Sequence, residues 1–270
     1  MTEVNPTYVA YHKDFATVIG DNYDYCVLVE TNAHEGPVYF RESNELYFTT
    51  LPVPVNIPIE GYKRVSINKV CLNDGNRIET VQELSNMANG MTMDLNHHLV
   101  ICEQGTKTAA AGISKLKIGD QVSKVMVDEW FGLAFNSPND VVVKRDDGSI
   151  WFTDPAYGYA QGFKNPPLVG NFVFRFDPET RLVAVVADSF IRPNGLAFSP
   201  NQDKLYINDS GANLGDGSPY DVNLPHHIKE YDIFEGRFLQ NERLFAVVSP
   251  GIPDGLKVET EGRVYSSSAS

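Results

Sequence analysis

Short apolar runs recur along the chain, each broken by a polar cluster containing Asp, Asn, Ser or Gly. The clearest instance is Ser137 to Gly158. Asn139 is followed by an apolar run, Val141–Val143, a polar turn at Asp146-Asp147-Gly148, a second run, Ile150–Thr153, and Asp154-Pro155. β-Branched and aromatic residues flanking an Asp-Gly turn predict a β-hairpin.

The same unit is written four more times. Glu35-Gly-Pro-Val-Tyr-Phe leads into Leu46-Tyr-Phe-Thr-Thr, and Asn89-Gly-Met-Thr-Met leads into His98-Leu-Val-Ile-Cys. Asn194-Gly-Leu-Ala-Phe leads into Lys204-Leu-Tyr-Ile-Asn, and Asp254-Gly-Leu-Lys-Val into Arg263-Val-Tyr-Ser. Glu35, Asn89, Asn139, Asn194 and Asp254 hold one position in each unit, separated by 54, 50, 55 and 60 residues. Such a period predicts a repeat array of the propeller kind. Each hairpin can bury its apolar faces only against its neighbours, and a ring leaves few exposed edges. The five polar residues are then expected at one end of a central channel.

Between the hairpins the pattern is looser. Tyr25–Glu30 and Val65–Leu72 read as strands, as do Gln121–Val127, Asn171–Phe176 and Leu182–Ala187, while Ala109-Ala-Ala-Gly reads as a turn. The prolines of Leu51-Pro-Val-Pro-Val-Asn-Ile-Pro remove too many N–H donors for a sheet interior, which predicts an exposed loop. Tyr157–Pro167 and Asp209–Pro225 read as further long loops, suited to covering a site. Residues 1–24 read as a loose arm or a strand that closes the ring. A sixth unit would follow Tyr265, yet the sequence stops at Ser270 partway through the fifth copy, so an incomplete last blade is expected.

Composition narrows the function. The length of 270 residues suits a single all-β domain. A net charge of −13 disfavours nucleic acid and anionic membranes as partners. Cys26, Cys71 and Cys102 show no CxxC spacing, and Cys71 and Cys102 fall in apparent strands, as buried reduced thiols. The N-terminus carries no basic region followed by an apolar run, so a cytoplasmic protein without a membrane span is expected.

Five motifs in register give the chain a family resemblance: Glu35-Gly-Pro, Ser137-Pro-Asn-Asp, Trp151-Phe-Thr-Asp-Pro-Ala-Tyr-Gly, Arg192-Pro-Asn-Gly and Ile252-Pro-Asp-Gly. Over about residues 30–265 the sequence resembles the gluconolactonase, regucalcin and senescence-marker-protein (LRE-like) family of six-bladed propeller hydrolases. The resemblance implies that Glu35, Asn139, Asn194 and Asp254 bind one divalent cation, usually calcium, and that Asp254 is also the general base.

The chemistry of those residues is compatible. Two carboxylates and two amide carbonyls form an all-oxygen set, which suits Ca²⁺ better than a zinc site built from His and Cys, with Zn²⁺, Mn²⁺ or Mg²⁺ as alternatives. A lactone carbonyl placed there would be polarised as water attacks. An aspartate is a weak base, adequate for an activated ester and poor for an amide, which points to a small lactone or ester as substrate. Asn89, Trp130 and Tyr157 are candidate walls of the substrate cavity, and Asp209 is a candidate neighbour of the site.

Each single residue also has a plain structural reading. Asn or Asp before Gly is a turn former, and Asp154 and Asp209 follow strands and are placed to cap turns. His97 and His98 fall at a hairpin tip, while His226 and His227 precede a strand. No Gly-x-Ser-x-Gly elbow or phosphate-binding glycine loop is present. Two other functions fit the same scaffold: a propeller that binds metal or a partner without catalysis, and a biosynthetic enzyme with another reaction, as in relatives resembling strictosidine synthase.

Overall fold

The computed structural model describes residues 15–20, 26–54 and 63–269. It divides the chain into two units, residues 1–32 and 33–270. In the first, a single short helix, α1 (Phe15–Ile19), is described. Cys26–Glu30 are irregular rather than the expected strand, with Val27 and Leu28 exposed. Most of residues 1–24, read as an arm or closing strand, and Tyr25 lie outside the described residues.

Among its described residues the second unit is all-β apart from one helical turn. Its first sheet comprises β1 (Ala33–Phe40) and β2 (Glu45–Thr50). A side hairpin, β3 (Val53–Pro54) with β4 (Lys63–Arg64), follows, and the sheet is completed by β5 (Ile67–Cys71) and β6 (Arg77–Gln82). The Pro-rich stretch is therefore paired at Val53–Pro54; residues 55–62 lie outside the described residues.

The second sheet is β7 (Ala88–Met93), β8 (Leu99–Glu103), β9 (Gly112–Leu116) and β10 (Lys124–Val127). A two-residue-per-arm hairpin, β11 (Glu129–Trp130) with β12 (Leu133–Ala134), leads on. The third sheet is β13 (Val141–Val143), β14 (Ile150–Asp154), β15 (Phe172–Phe176) and β16 (Val183–Ala187), with the helical turn α2 (Tyr157–Ala160) between β14 and β15. The fourth is β17 (Pro193–Phe198), β18 (Lys204–Asp209), β19 (His227–Phe234) and β20 (Phe238–Val247). The chain then forms the hairpin β21 (Ile252–Val258) with β22 (Val264–Ala269).

Every pairing within these sheets is antiparallel and, apart from β2 with β5 across the β3–β4 side hairpin, joins chain neighbours, as in a meander, so loop closure stays local. The first strands β1, β7, β13, β17 and β21 pack one against the next. A channel of ≈ 520 Å³ is lined by residues of all five, among them Val38, Met91, Val142, Ala197 and Leu256. The unit is thus propeller-like, each repeated hairpin contributing its first strand to the axis.

Strand alternation explains why the apolar runs are nearly continuous. Side chains of successive residues point to opposite faces, and here each face meets a different sheet. On β8, Leu99 and Ile101 join the core between the first and second sheets, while Val100 and Cys102 join that between the second and third. On β14, Ile150 and Phe152 face backward and Trp151 faces forward, toward Leu205 and Ile207 of the fourth sheet. Leu99, Ile101, Ile113, Phe152, Phe174 and Phe176 are fully buried, each contributing about 1.5–3 kcal/mol of transfer free energy. Cys71 and Cys102 are buried free thiols within these sheets. Among the described residues no helix is long and apolar enough to cross a membrane.

Candidate functional site

The repeated polar residue does not sit in a turn. Strand register slips at Glu35 in β1, between Ala88 and Met91 in β7, between Pro193 and Leu196 in β17 and between Pro253 and Leu256 in β21. Asn139 precedes β13, with its N–H donating to the Thr153 carbonyl at 2.8 Å. An irregularity of this kind breaks the alternation and re-aims one side chain. Glu35, Asn89, Asn139, Asn194 and Asp254 are all brought to one cavity of ≈ 270 Å³.

At Gly90 and Gly195 the lack of a side chain is required by packing between sheets. Gly90 N–H donates to the Asn139 carbonyl at 2.8 Å, and a Cβ on Gly90 would lie 2.6 Å from Asp140 Oδ1 and 2.8 Å from its Cα. A Cβ on Gly195 would run into the Asp254 carbonyl oxygen and lie 2.7 Å from the Leu256 nitrogen. Asn208 Nδ2 donates to that same Asp254 carbonyl at 2.6 Å, and Thr49 Oγ1 donates to the Asn89 carbonyl at 3.2 Å. Asn89, Asn139 and Asp254 are therefore held by their main chain from the preceding sheet.

Among the described residues no hydrogen bond or ion pair engages the side chains of Glu35, Asn139, Asn194 or Asp254. Asn89 Oδ1 is buried without a partner among the described residues. Burial, then the Asp254 and Asp140 carboxylates, push Glu35 up to about 8, with Lys257 opposing. Burial raises Asp140 to about 6, against Lys257. Carboxylates crowded this way favour a positive charge among them. Among the described residues no three His, Cys, Asp or Glu side chains are grouped to hold a metal; the donors here are two carboxylates and two amides, a set fit for a hard cation.

Tyr157, at the start of α2, also lines the cavity. Arg192 lies over its ring at 5.7 Å, and burial raises its phenol well above the usual range. Ser210, which follows the candidate neighbour Asp209, lines it too, together with His34, Gln104, Gln161 and Asn213, which the sequence does not mark as site residues. Their signal was weak because loops of irregular length deliver most of them. Ser210 Oγ donates to the Pro253 carbonyl at 2.5 Å, tying its loop to β21.

Two expected residues fall elsewhere. Trp130 is outside the cavity, with its indole edge-on to Phe172 and Phe174 at centroid distances of 6.1 and 5.7 Å; its large apolar ring is held by the core between the second and third sheets. Asp209 is buried, and its carboxylate accepts from the N–H groups of Ile191 (3.0 Å), Arg192 (2.9 Å) and Gly211 (3.1 Å). Asp154 does the same one repeat earlier, accepting from Asn136 (2.8 Å) and Ser137 (2.7 Å). Both clamp the loop that leads into a site asparagine.

His97 sits in the hairpin turn with φ 59°, exposed, and His98 lies 3.4 Å from Asp94. His227 opens β19, and burial lowers its pKa.

A family model described as the SMP-30/Gluconolactonase/LRE-like region matches residues 33–269. Lactonohydrolase oryL of Aspergillus oryzae is 27% identical over 288 residues, covering 97% of this chain and 63% of that protein. The gluconolactonase of Zymomonas mobilis is 28% identical over 244 residues, covering 86% of this chain and 64% of that protein. The chain thus spans somewhat under two thirds of the length of these curated relatives. Among solved structures, a gluconolactonase from Xanthomonas campestris superposes with a TM-score of 0.69 at 28% identity, over 88% of this chain and 71% of that one.

Proposed function

Because the chain belongs to the SMP-30/gluconolactonase/LRE-like family, we propose that it hydrolyses a lactone or related cyclic ester, with one divalent cation, Ca²⁺ first, held by Glu35, Asn139, Asn194 and Asp254. The observation that carries this reading is the meeting of four unengaged oxygen-bearing side chains in one cavity, from strands far apart in sequence. Ca²⁺ takes six to eight oxygens, so four protein donors leave positions for water and substrate. Once bound, the cation would supply Lewis acidity for the ester carbonyl.

The chain's own groups do the rest. Asp254 takes the proton of the attacking water as its oxygen bonds to the carbonyl carbon. The ring C–O bond then breaks, and the alkoxide takes that proton back from Asp254, leaving as the hydroxyl of a hydroxy acid and restoring the carboxylate. Main-chain anchorage by Asn208 and Gly195 holds Asp254 in place for this transfer. Tyr157, kept protonated by burial, is a hydrogen-bond donor on the cavity wall, and Asn89 Oδ1 is an acceptor for a substrate hydroxyl. The weak base favours a strained or activated ester over an amide.

The test is a panel of lactones assayed with Ca²⁺, Zn²⁺, Mn²⁺ or chelator, on the protein as it stands and on Asp254→Ala. Hydrolysis that needs the cation and is lost in the variant is expected. Turnover indifferent to both chelator and substitution would overturn the mechanism.

A further inference from the structure

A second cavity, of ≈ 530 Å³, lies between the loop around Thr106–Ala110 and the segment Lys164–Leu168, with Asn136 in its wall. It shares no lining residue with the first. Its volume falls in the range of small-molecule sites, about 300–1,000 Å³. The two walls are tied together, since Asn165 Nδ2 donates to the Lys107 carbonyl at 3.1 Å. Thr106 stiffens its loop by accepting at Oγ1 from the Ala109 N–H at 3.0 Å.

Asn136 is 5% exposed, and its Nδ2 is committed to the carbonyls of Asp154 and Gly170, both at 3.0 Å. Those carbonyls fix which end of the amide is which. Oδ1 is left buried with no partner among the described residues, and an unpaired buried acceptor costs about 1–3 kcal/mol.

The ammonium of Lys164 makes no hydrogen bond or ion pair among the described residues. The opposite charge that acts on it is Asp154, whose two oxygens are taken up by the N–H groups of Asn136 and Ser137. Burial lowers the Lys164 pKa, with Asp154 opposing, so an anion brought to it would be favoured. The lysine stem is held in place by Gly158, where any Cβ would collide with Lys164 Cγ and Ser137 Oγ. Ala110, Phe135, Pro166, Pro167 and Leu168, which line the cavity together with Lys164, make the lining apolar.

We propose that this cavity binds a small amphipathic organic acid: its carboxylate on Lys164, a hydroxyl donating to Asn136 Oδ1, and its hydrocarbon chain against Pro166, Pro167 and Leu168. The proposal stands apart from the reaction above. The two meet only in that ring-opening of a lactone yields a hydroxy acid, the ligand class named here.

Isothermal titration of the full chain with 4-hydroxyoctanoate, octanoate, acetate and inorganic phosphate tests it. 4-Hydroxyoctanoate is expected to bind, Lys164→Met to weaken it at least tenfold, and Leu168→Asp to weaken it severalfold. Leu168 is 65% exposed, so that variant keeps the fold. Octanoate is expected to bind more weakly, and acetate and phosphate weaker still. Asp254→Asn is expected to leave the titration unchanged, which separates this cavity from the first. Loss of binding in Asp254→Asn, indifference to both Lys164→Met and Leu168→Asp, or phosphate and acetate binding as tightly as the hydroxy acid would each overturn the proposal. Equal affinity for octanoate would overturn it too, since the hydroxyl would then gain nothing at Asn136.

Discussion

Gly195 on β17 lies flat against the main chain of Asp254 on β21, with no room for a methyl group between them. The carbonyl it faces also accepts from Asn208 on β18. One aspartate is thereby fixed by two strands of the neighbouring sheet, while its carboxylate stays free for the cavity.

Gly195→Ala should therefore cost about 1–3 kcal/mol, because the obstacle is backbone and cannot rotate away. Gly255→Ala is the control, since its nearest neighbour is Ser267 Oγ at 3.4 Å. Thermal melts should fall by several degrees for the first and little for the second, at about 2–4 °C per kcal/mol. Equal melts would show that the seam yields.

Asp209→Ala removes the acceptor of two N–H groups on the loop leading to Asn194, those of Ile191 and Arg192, and of a third at Gly211. Buried bonds to a charged acceptor are worth about 1.5–3 kcal/mol each, partly regained when water enters. A loss of about 2–4 kcal/mol in urea unfolding is expected, together with weaker cation binding as the loop before Asn194 loosens. A variant with unaltered stability would contradict the clamp.

Glu242 gives an acid-side signature. Burial would raise its pKa, but Lys229, Tyr231 and Ser189, bonded to it at 2.8, 2.7 and 2.7 Å, outweigh burial and bring it down to about 2. A folded-state pKa below the unfolded one, about 4.3, adds stability that is complete above about pH 5 and fades as pH falls toward 2. Its side chain is 43% exposed, so solvent trims the effect. The stability gap between the protein and Glu242→Gln, from urea midpoints, should shrink across that window. A gap independent of pH would refute the assignment.

Calcium should raise the melting temperature, and chelator should reverse the rise. At one hundred times its dissociation constant a ligand adds about 2.7 kcal/mol. Glu35→Gln and Asp254→Asn should lose the shift while melting normally without the ion. An undiminished shift in both variants would place the cation elsewhere.

The glycine after Asn89 and after Asn194 shows where reading the chain in one dimension stops. Asn-Gly and Asp-Gly signal turns, and the expectation for any one of them was a turn residue. Gly90 and Gly195 instead lie within strands, required by the approach of the next sheet. Trp130 misled for a related reason: an aromatic ring beside a loop suits a cavity wall, yet its apolar area is taken by the core. The strands β6 and β9 were passed over because Arg77–Gln82 and Gly112–Leu116 are short and partly polar.

By itself the sequence determined the repeat, the hairpins and their apolar runs, because alternation and turn chemistry act over a few neighbouring residues. It also marked the five positions that recur, since a period survives without coordinates. Only tertiary structure decided which side chains share a cavity and which are spent on holding loops. Asp209 and Asp254 are both acidic residues on repeated strands, and local pattern treats them alike. Contacts across sheets turn one carboxylate back onto backbone N–H groups and leave the other facing the cavity.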